Sequence, residues 1–188
     1  MQVIAGSARR LQLMTVPGTD TRPTSSQIRE TLFNILQPYV QGSRFLDLFA
    51  GSGAIGIEAL SRGAAEAVFV ENSRKAVACI GRNLAHTRLA EKARVLETSA
   101  VTALKRLAAQ GACFDLIFLD PPYDGGWYRP VFEALAASPA AGEETLIIAE
   151  ARKDEDFSFL EELGFVPVRE KVYKSNKHVF VRRKEAAR

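Results

Sequence analysis

Two stretches of this chain carry residue types and spacings that can do chemistry. In Asp47-Leu48-Phe49-Ala50-Gly51-Ser52-Gly53-Ala54-Ile55-Gly56 an acid is followed by three glycines. Glycines let a backbone turn tightly and approach a ligand closely, because no Cβ intervenes. A helix starting near Ile55 would offer unpaired N–H groups and a positive dipole end to the same ligand. Gly51-x-Gly53-x-x-Gly56 has the spacing of a dinucleotide fingerprint. Glu71 lies about 20 residues after the first glycine, where a carboxylate can hold ribose hydroxyls. The corner by itself fits two ligands, NAD(P) and S-adenosylmethionine (SAM). Asp47 points to SAM. It stands just before the glycines, where a dehydrogenase has a plain apolar residue, and its carboxylate could hold a methionine ammonium group.

The second stretch is Asp120-Pro121-Pro122-Tyr123. These residue types suit methylation of a planar, conjugated amino group, whose lone pair is delocalised and weakly nucleophilic. The Asp120 carboxylate and the Pro121 carbonyl can each accept a hydrogen bond from that NH2 and stabilise charge developing on nitrogen. Asp120 can also take the released proton. Pro121 and Pro122 fix φ and remove N–H donors, leaving carbonyls to face the site. Tyr123 can stack on a base drawn out of its helix or loop. Either stretch alone could be no more than a tight turn.

The elements that position these stretches follow from periodicity. Residues 2–14 suggest two short strands joined by a basic turn at Arg9 and Arg10, and residues 17–23 a loop. A helix begins at Thr24-Ser25-Ser26-Gln27, carries Ile28, Leu32, Phe33, Ile35 and Leu36 on one face, and is expected to stop at Pro38. Strict alternation follows. Strands are expected at 44–49, 67–71, 93–97, 114–119 and 145–150. Helices are expected from Ile55, from Ser73 to Arg88, and over 100–109, 128–137 and 156–163. Residues 164–173 hold one strand or two, and 178–181 the last. The 114–119 run is nearly all apolar, hence central. Consecutive final strands imply an antiparallel hairpin ending an otherwise parallel sheet. SAM-dependent methyltransferases finish in this way and dinucleotide dehydrogenases do not. Strand ends at their C-termini line the ligand crevice of such sheets, so both stretches should meet there.

The chain has 188 residues, enough for one domain with a modest extension. We expect residues 1–40 to form a basic hairpin and helix packed on a core of residues 41–188. No apolar run approaches a membrane span. No signal-peptide order opens the chain, so a cytoplasmic location is expected. Cys79 and Cys113 read as two buried thiols, and His86 and His178 lack ligand spacing, so no metal is expected. The net charge of +3 is unevenly spread. Residues 1–44 hold five Arg and two acids, residues 164–188 eight Lys or Arg and two acids, and the middle is acidic. Basic ends on an acidic core suit a polyanion, and equally suit solvated termini. Arg22 and Arg29, beside the first helix, either solvate it or face a donor or RNA site.

With both motifs placed, the chain resembles the RsmD family of bacterial rRNA methyltransferases over nearly its whole length. The resemblance rests on Val3-Ile4-Ala5-Gly6, Thr21-Arg22-Pro23-Thr24 and Arg29-Glu30-Thr31-Leu32-Phe33-Asn34-Ile35-Leu36. It continues through Asp47–Gly53, Glu58-Ala59-Leu60-Ser61-Arg62-Gly63-Ala64 and Phe114–Tyr123. It implies a class I, Rossmann-like SAM-dependent methyltransferase fold with a mostly parallel seven-stranded sheet and an antiparallel terminal hairpin. It implies SAM as donor and N2 of one guanine, position 966 of 16S rRNA, as acceptor, in the small subunit or an assembly intermediate. On this resemblance Asp47, Phe49, Ala50, Gly51, Ser52 and Gly53 form the methionine corner, with Glu71 and Asn72 at the ribose. Catalysis falls to Asp120, Pro121, Pro122 and Tyr123, and RNA contacts to Arg9, Arg10, Arg22 and Arg29. Relatives usually carry an Asp that contacts the adenine amino group after the third strand. Here Glu97-Thr98-Ser99-Ala100 stands there, so Ser99 or the backbone at Ala100 must replace it. A monomer is expected, since nothing demands a dimer.

Three other functions compete. A DNA adenine or cytosine amino-methyltransferase shares the chemistry but needs a target-recognition insert, which is not evident here. A catalytically inactive RNA-binding assembly factor is disfavoured by the intact Asp120 and glycine corner. A dehydrogenase is disfavoured by Asp47, Asp120-Pro121-Pro122-Tyr123 and the terminal hairpin.

Overall fold

Phe45 and Leu46 sit next to each other on β1 (Arg44–Asp47) and so point to opposite faces; both are fully buried. A strand buried on both faces needs helices on both sides. The computed structural model describes residues 1–16, 26–123 and 125–184. Around β1 it places β2 (Glu66–Glu71), β3 (Ala93–Glu97), β4 (Phe114–Leu119), β5 (Ala141–Arg152), β6 (Phe165–Val172) and β7 (Asn176–Arg183). They form a seven-stranded sheet of order β3-β2-β1-β4-β5-β7-β6. β1 pairs in parallel with β2 and β4, in register Phe45↔Ala67 and Phe45↔Leu116. β7 alone runs against its neighbours, pairing antiparallel with β5 and β6.

On one face lie α1 (Ser26–Val40), α2 (Ala54–Ser61) and α3 (Arg74–Thr87). Their Phe33, Ile57 and Ile80 share a core with Phe45, Phe69, Phe118 and Phe180 of the sheet. On the other lie α4 (Ala100–Ala109) and α5 (Tyr128–Ala136), burying Leu104 and Phe132 against Leu46, Val68, Ile117 and Ile147.

The N-terminal segment is tied to α2 by a carboxylate. The Val3, Arg10 and Leu13 N–H groups donate to the carbonyls of Leu11, Val3 and Met1 respectively, with one isolated bridge between Gln2 and Gln12. The expected hairpin is thus present as a ladder without two full strands. Buried Glu58 accepts the N–H groups of Ile4 (2.8 Å) and Ala5 (3.0 Å) and pairs with Arg62 at 2.7 Å. Val3, Ala8 and Leu13 join the α1–α3 core. Replacing Glu58 with Ala would leave two backbone donors and the nearby guanidinium groups of Arg62 and Arg29 without their anion. We expect this to cost about 3 kcal/mol in urea unfolding; a change within 0.5 kcal/mol would contradict the anchoring role.

Four sequence expectations are corrected. Pro38 does not stop the first helix, which continues to Val40. The N–H that Pro38 lacks would meet only the carbonyl of exposed Asn34, and Val40 is buried. The helix expected over 156–163 is a single 3-10 turn, Ser158–Leu160. There the Asp156 carboxylate takes the Ser158 N–H and hydroxyl, and Phe157 and Phe159 both turn onto Phe132. Aromatic packing overrides helical periodicity. β5 runs from 141 to 152, longer than the expected 145–150. Cys113 is exposed, because the following Phe114 supplies the buried anchor; Cys79 is buried as expected. Among the described residues no helix is long and apolar enough to cross a membrane.

Candidate active site

Three acids end three neighbouring strands. Asp47 closes β1, Asp120 follows β4, and Glu150 lies near the end of β5. Alternation and parallel pairing carry them to one edge of the sheet, at the C-terminal strand ends where such folds bind ligands.

Asp47 is buried. Its Oδ2 accepts the Gly56 N–H at 3.3 Å, and its Oδ1 is buried with no hydrogen-bond partner among the described residues. Burial pushes its carboxyl up to about 7; N–H groups of Gly56 and Phe49 oppose this, and the Glu71 charge adds to it. Gly53 caps α2 in the left-handed region (φ 81°), a conformation that a Cβ disfavours. Gly56 lies flat on the Phe69 ring, where a Cβ would collide. The glycines therefore serve both the turn and the seating of α2 on β2. Glu71 locks the corner. Its Oε2 accepts the Gly51 N–H at 2.8 Å, and its Oε1 accepts the N–H groups of Asn72 and Ser73, each at 2.9 Å. Ser52 is tied in through its carbonyl, which accepts from Asn83 Nδ2 at 2.9 Å.

Ser99 caps α4. Its Oγ accepts the Thr102 N–H at 3.3 Å and bonds the Thr102 hydroxyl at 2.9 Å, and Ala100 behind it is buried. Thr98, just before it, donates to the Glu71 carbonyl at 3.0 Å, so this loop joins the same edge.

Asp120 is half-buried, Pro121 buried, and Pro122 and Tyr123 exposed. Burial, then the charges of Glu150 and Asp47, hold the Asp120 carboxyl well above the usual range. The Tyr123 phenol is pushed up to about 12 by burial and by Asp120 and Glu150, with Arg152 opposing. Trp127 lies 6.3 Å from the Phe49 ring and is partly exposed, so aromatic faces flank the edge.

Behind Asp120 stands a polar group that the sequence reading did not assemble. Glu150 Oε1 accepts from Asn176 Nδ2 at 2.6 Å, and Oε2 lies 3.0 Å from His178 Nε2. His178 Nδ1 lies 3.1 Å from the Tyr173 hydroxyl, and the Tyr128 hydroxyl donates to the Glu150 carbonyl at 2.6 Å. One signal was available: Glu150, like Asp47 and Asp120, is an acid ending an apolar strand.

Of the expected RNA-contacting arginines, the described Arg9, Arg10 and Arg29 do not gather here. Arg9 and Arg10 are exposed on the N-terminal turn, whose Ser7 N–H bonds the Ser61 carbonyl. Ser61 ends α2 at the end remote from Gly53. Arg29 is fully buried, donating from Nη2 to the Gln2 carbonyl at 2.7 Å, with burial lowering its proton affinity. Its guanidinium is therefore a core group and presents no surface to RNA, which corrects that expectation. It follows from the inward face of α1, on which Arg29 sits three residues before Leu32. Arg22 and the rest of Thr21-Arg22-Pro23-Thr24 lie outside the described residues.

Comparisons with known proteins identify the relatives of this chain. A family model described as "Conserved hypothetical protein 95" matches residues 1–182. The ribosomal RNA small subunit methyltransferase D of Escherichia coli is 37% identical over 151 residues, 80% of this chain and 74% of that one. Among solved structures, the Escherichia coli protein yhhF superposes with a TM-score of 0.83 at 34% identity, covering 99% of each chain. A Thermus thermophilus 16S rRNA N2 methyltransferase, RsmC, solved with AdoMet and guanosine, superposes with a TM-score of 0.66 at 25% identity, over 90% of this chain and 45% of that one.

Proposed function

The chain belongs to this family, whose members include the ribosomal RNA small subunit methyltransferases D, and from that premise we propose that it methylates ribosomal RNA with SAM as donor. The acceptor in this proposal is the exocyclic N2 of a guanine in 16S rRNA, the position-966 guanine that the sequence resemblance implies. The observation that carries the reading is the pairing of Asp47 with Asp120 on one strand-end edge. One is a buried carboxylate with an orphaned oxygen beside a glycine corner, and the other a half-buried carboxylate followed by Pro121. The orphaned Asp47 Oδ1 fits a cationic group such as the methionine ammonium, and in this proposal Glu71 and Asn72 take the ribose. When bound, SAM supplies an electrophilic methyl group on a sulfonium.

The chain's own residues do the rest. The Asp120 carboxylate and Pro121 carbonyl accept the two N–H bonds of the acceptor amino group. This turns the nitrogen lone pair out of conjugation and stabilises positive charge as it develops. Tyr123 offers its face to the extruded base. After transfer the nitrogen carries a surplus proton, and Asp120, whose proton affinity is raised by burial and by the charges of Glu150 and Asp47, accepts it. Only the ionised Asp120 can do so, which gives activity an acidic limb. Glu150→Gln removes a negative charge beside Asp120 and lowers its proton affinity. The acidic limb of the kcat/KM profile should therefore move to lower pH. A limb that stays put or moves up would remove Glu150 from this role.

The acceptor class is tested by offering labelled SAM with small ribosomal subunits lacking the modification, bare 16S rRNA and duplex DNA. Label in either rRNA sample and none in DNA is expected. Label confined to DNA would replace the reading with a DNA amino-methyltransferase.

A further inference from the structure

We propose that the exposed sheet edge at the β6–β7 turn, carrying Arg169, Lys171 and Lys174, is the surface that grips the phosphate backbone of the RNA substrate. The inference rests on the proposed rRNA substrate and names where that substrate is held. Strand register supplies the position. Arg152, at the end of β5, pairs with Asn176 at the start of β7, and Val172, at the end of β6, pairs with Lys177. The turn between β6 and β7 therefore stands at the same edge as Asp120 and Glu150. Asn176 and His178, the first residues after it, bond the Glu150 carboxylate directly. Arg152 is also close enough to Tyr123 to oppose the rise in its phenol's proton affinity.

The charges at this edge are available. Arg169, Lys171 and Lys174 are exposed and make no ion pair with any described residue. The nearby acids are engaged elsewhere: Glu170 with Lys177 at 3.3 Å, and Asp154 with Arg152 at 3.2 Å. Arg169 and Lys171 are two residues apart on one strand and so share a face. The Arg169 guanidinium lies 5.9 Å from the Phe180 ring centre, which places that face on the α1 side of the sheet. Protection of an edge strand accounts for charge on β6 in general. It does not account for unpaired cations gathered toward the strand-end edge that also carries Asp120, with β5 and β7 lying between β4 and β6. Arg9 and Arg10, by contrast, sit at the far end of α2, whose eight residues span about 12 Å.

The test compares Arg169→Gln/Lys171→Gln/Lys174→Gln with Arg9→Gln/Arg10→Gln, using the full chain and 16S rRNA. Binding is measured between 50 and 300 mM salt, with SAM affinity and thermal melting as checks on folding. Removing three phosphate contacts should weaken RNA binding about tenfold or more at moderate salt and flatten the slope of log K against log salt by about 2. SAM affinity should not change, and the Arg9/Arg10 variant should keep the wild-type slope. An unchanged slope in the triple variant overturns the inference. So does equal flattening in both variants, which would mean a diffuse field and no localised surface. A raised KM on ribosomal particles with an unchanged slope on bare RNA would assign the edge to a protein contact, and also overturns it. Wild-type protein that binds RNA through this edge but transfers no methyl group would sink the methyltransferase reading alone, keeping the two failures distinct.

Discussion

Asp120→Ala is expected to lower turnover by about 10²–10⁴-fold, the range spanned by losing a general base or an electrostatic partner of the transition state. SAM binding should persist within a few-fold, because the donor corner at Asp47, Gly51 and Gly53 is built from β1 and α2 and not from β4. Asp120→Asn separates the two roles. It keeps an oxygen acceptor for the amino group but cannot take a proton. If positioning dominates, the Asn variant should retain much more activity than Ala; if proton acceptance dominates, the two should fall together. Full activity in Asp120→Ala, measured by single-turnover methyl transfer, would remove the carboxylate from the mechanism.

The second large effect is at Asp47, where binding and stability should move in opposite directions. Its carboxyl titrates at about 7, against an ordinary 3.8. Between those values the folded protein holds a proton that the unfolded chain has released. Stability therefore falls as pH rises from about 4 to 7, and the loss is complete above 7. Asp47→Asn carries no charge to bury, and should stabilise the free protein at pH 8 by on the order of 2–4 kcal/mol. On the proposed function, the same change removes the anion that faces the donor ammonium. It should weaken SAM by about 2–4 kcal/mol, roughly 30- to 1,000-fold in Kd. Wild-type affinity should rise with pH, by up to tenfold per unit below 7, and level off above it. The Asn variant should show no such dependence. Calorimetric titrations at pH 6, 7 and 8 with parallel melts check both. Unchanged affinity in Asp47→Asn would place the ammonium elsewhere.

Asp47 was legible in the sequence as a candidate ligand-holding group. A carboxylate in a buried strand end followed by glycines makes little sense as packing, and so declares a ligand. The same logic exposed Asp120. α4 and β4 fell where periodicity put them, because each presents an apolar face to the core, and the edge strand β3 did so with Ala93, Val95 and Leu96 only part-buried. Periodicity failed at 156–163, where Phe157 and Phe159 were needed against Phe132 and no helix can point both there. Charge was the least legible feature. Arg29 reads as a surface cation, yet tertiary packing buries it on the inner side of α1 against the N-terminal segment. Arg9 and Arg10 look suited to RNA in sequence, but only the path of the hairpin along α2 reveals that they lie away from the catalytic edge. Glu150 and His178 are 28 residues apart, and only the β5–β7 register brings them together.

The most direct measurement is the identity of the methylated nucleoside. Small subunits lacking the modification would be incubated with the purified chain and labelled SAM, and the rRNA digested and resolved by mass spectrometry. N2-methylguanosine from a single site in 16S rRNA is the expected product. A methylated adenosine or cytidine, or label spread over many guanines, would contradict the assignment of a specific guanine amino group as the acceptor held by Asp120 and Pro121.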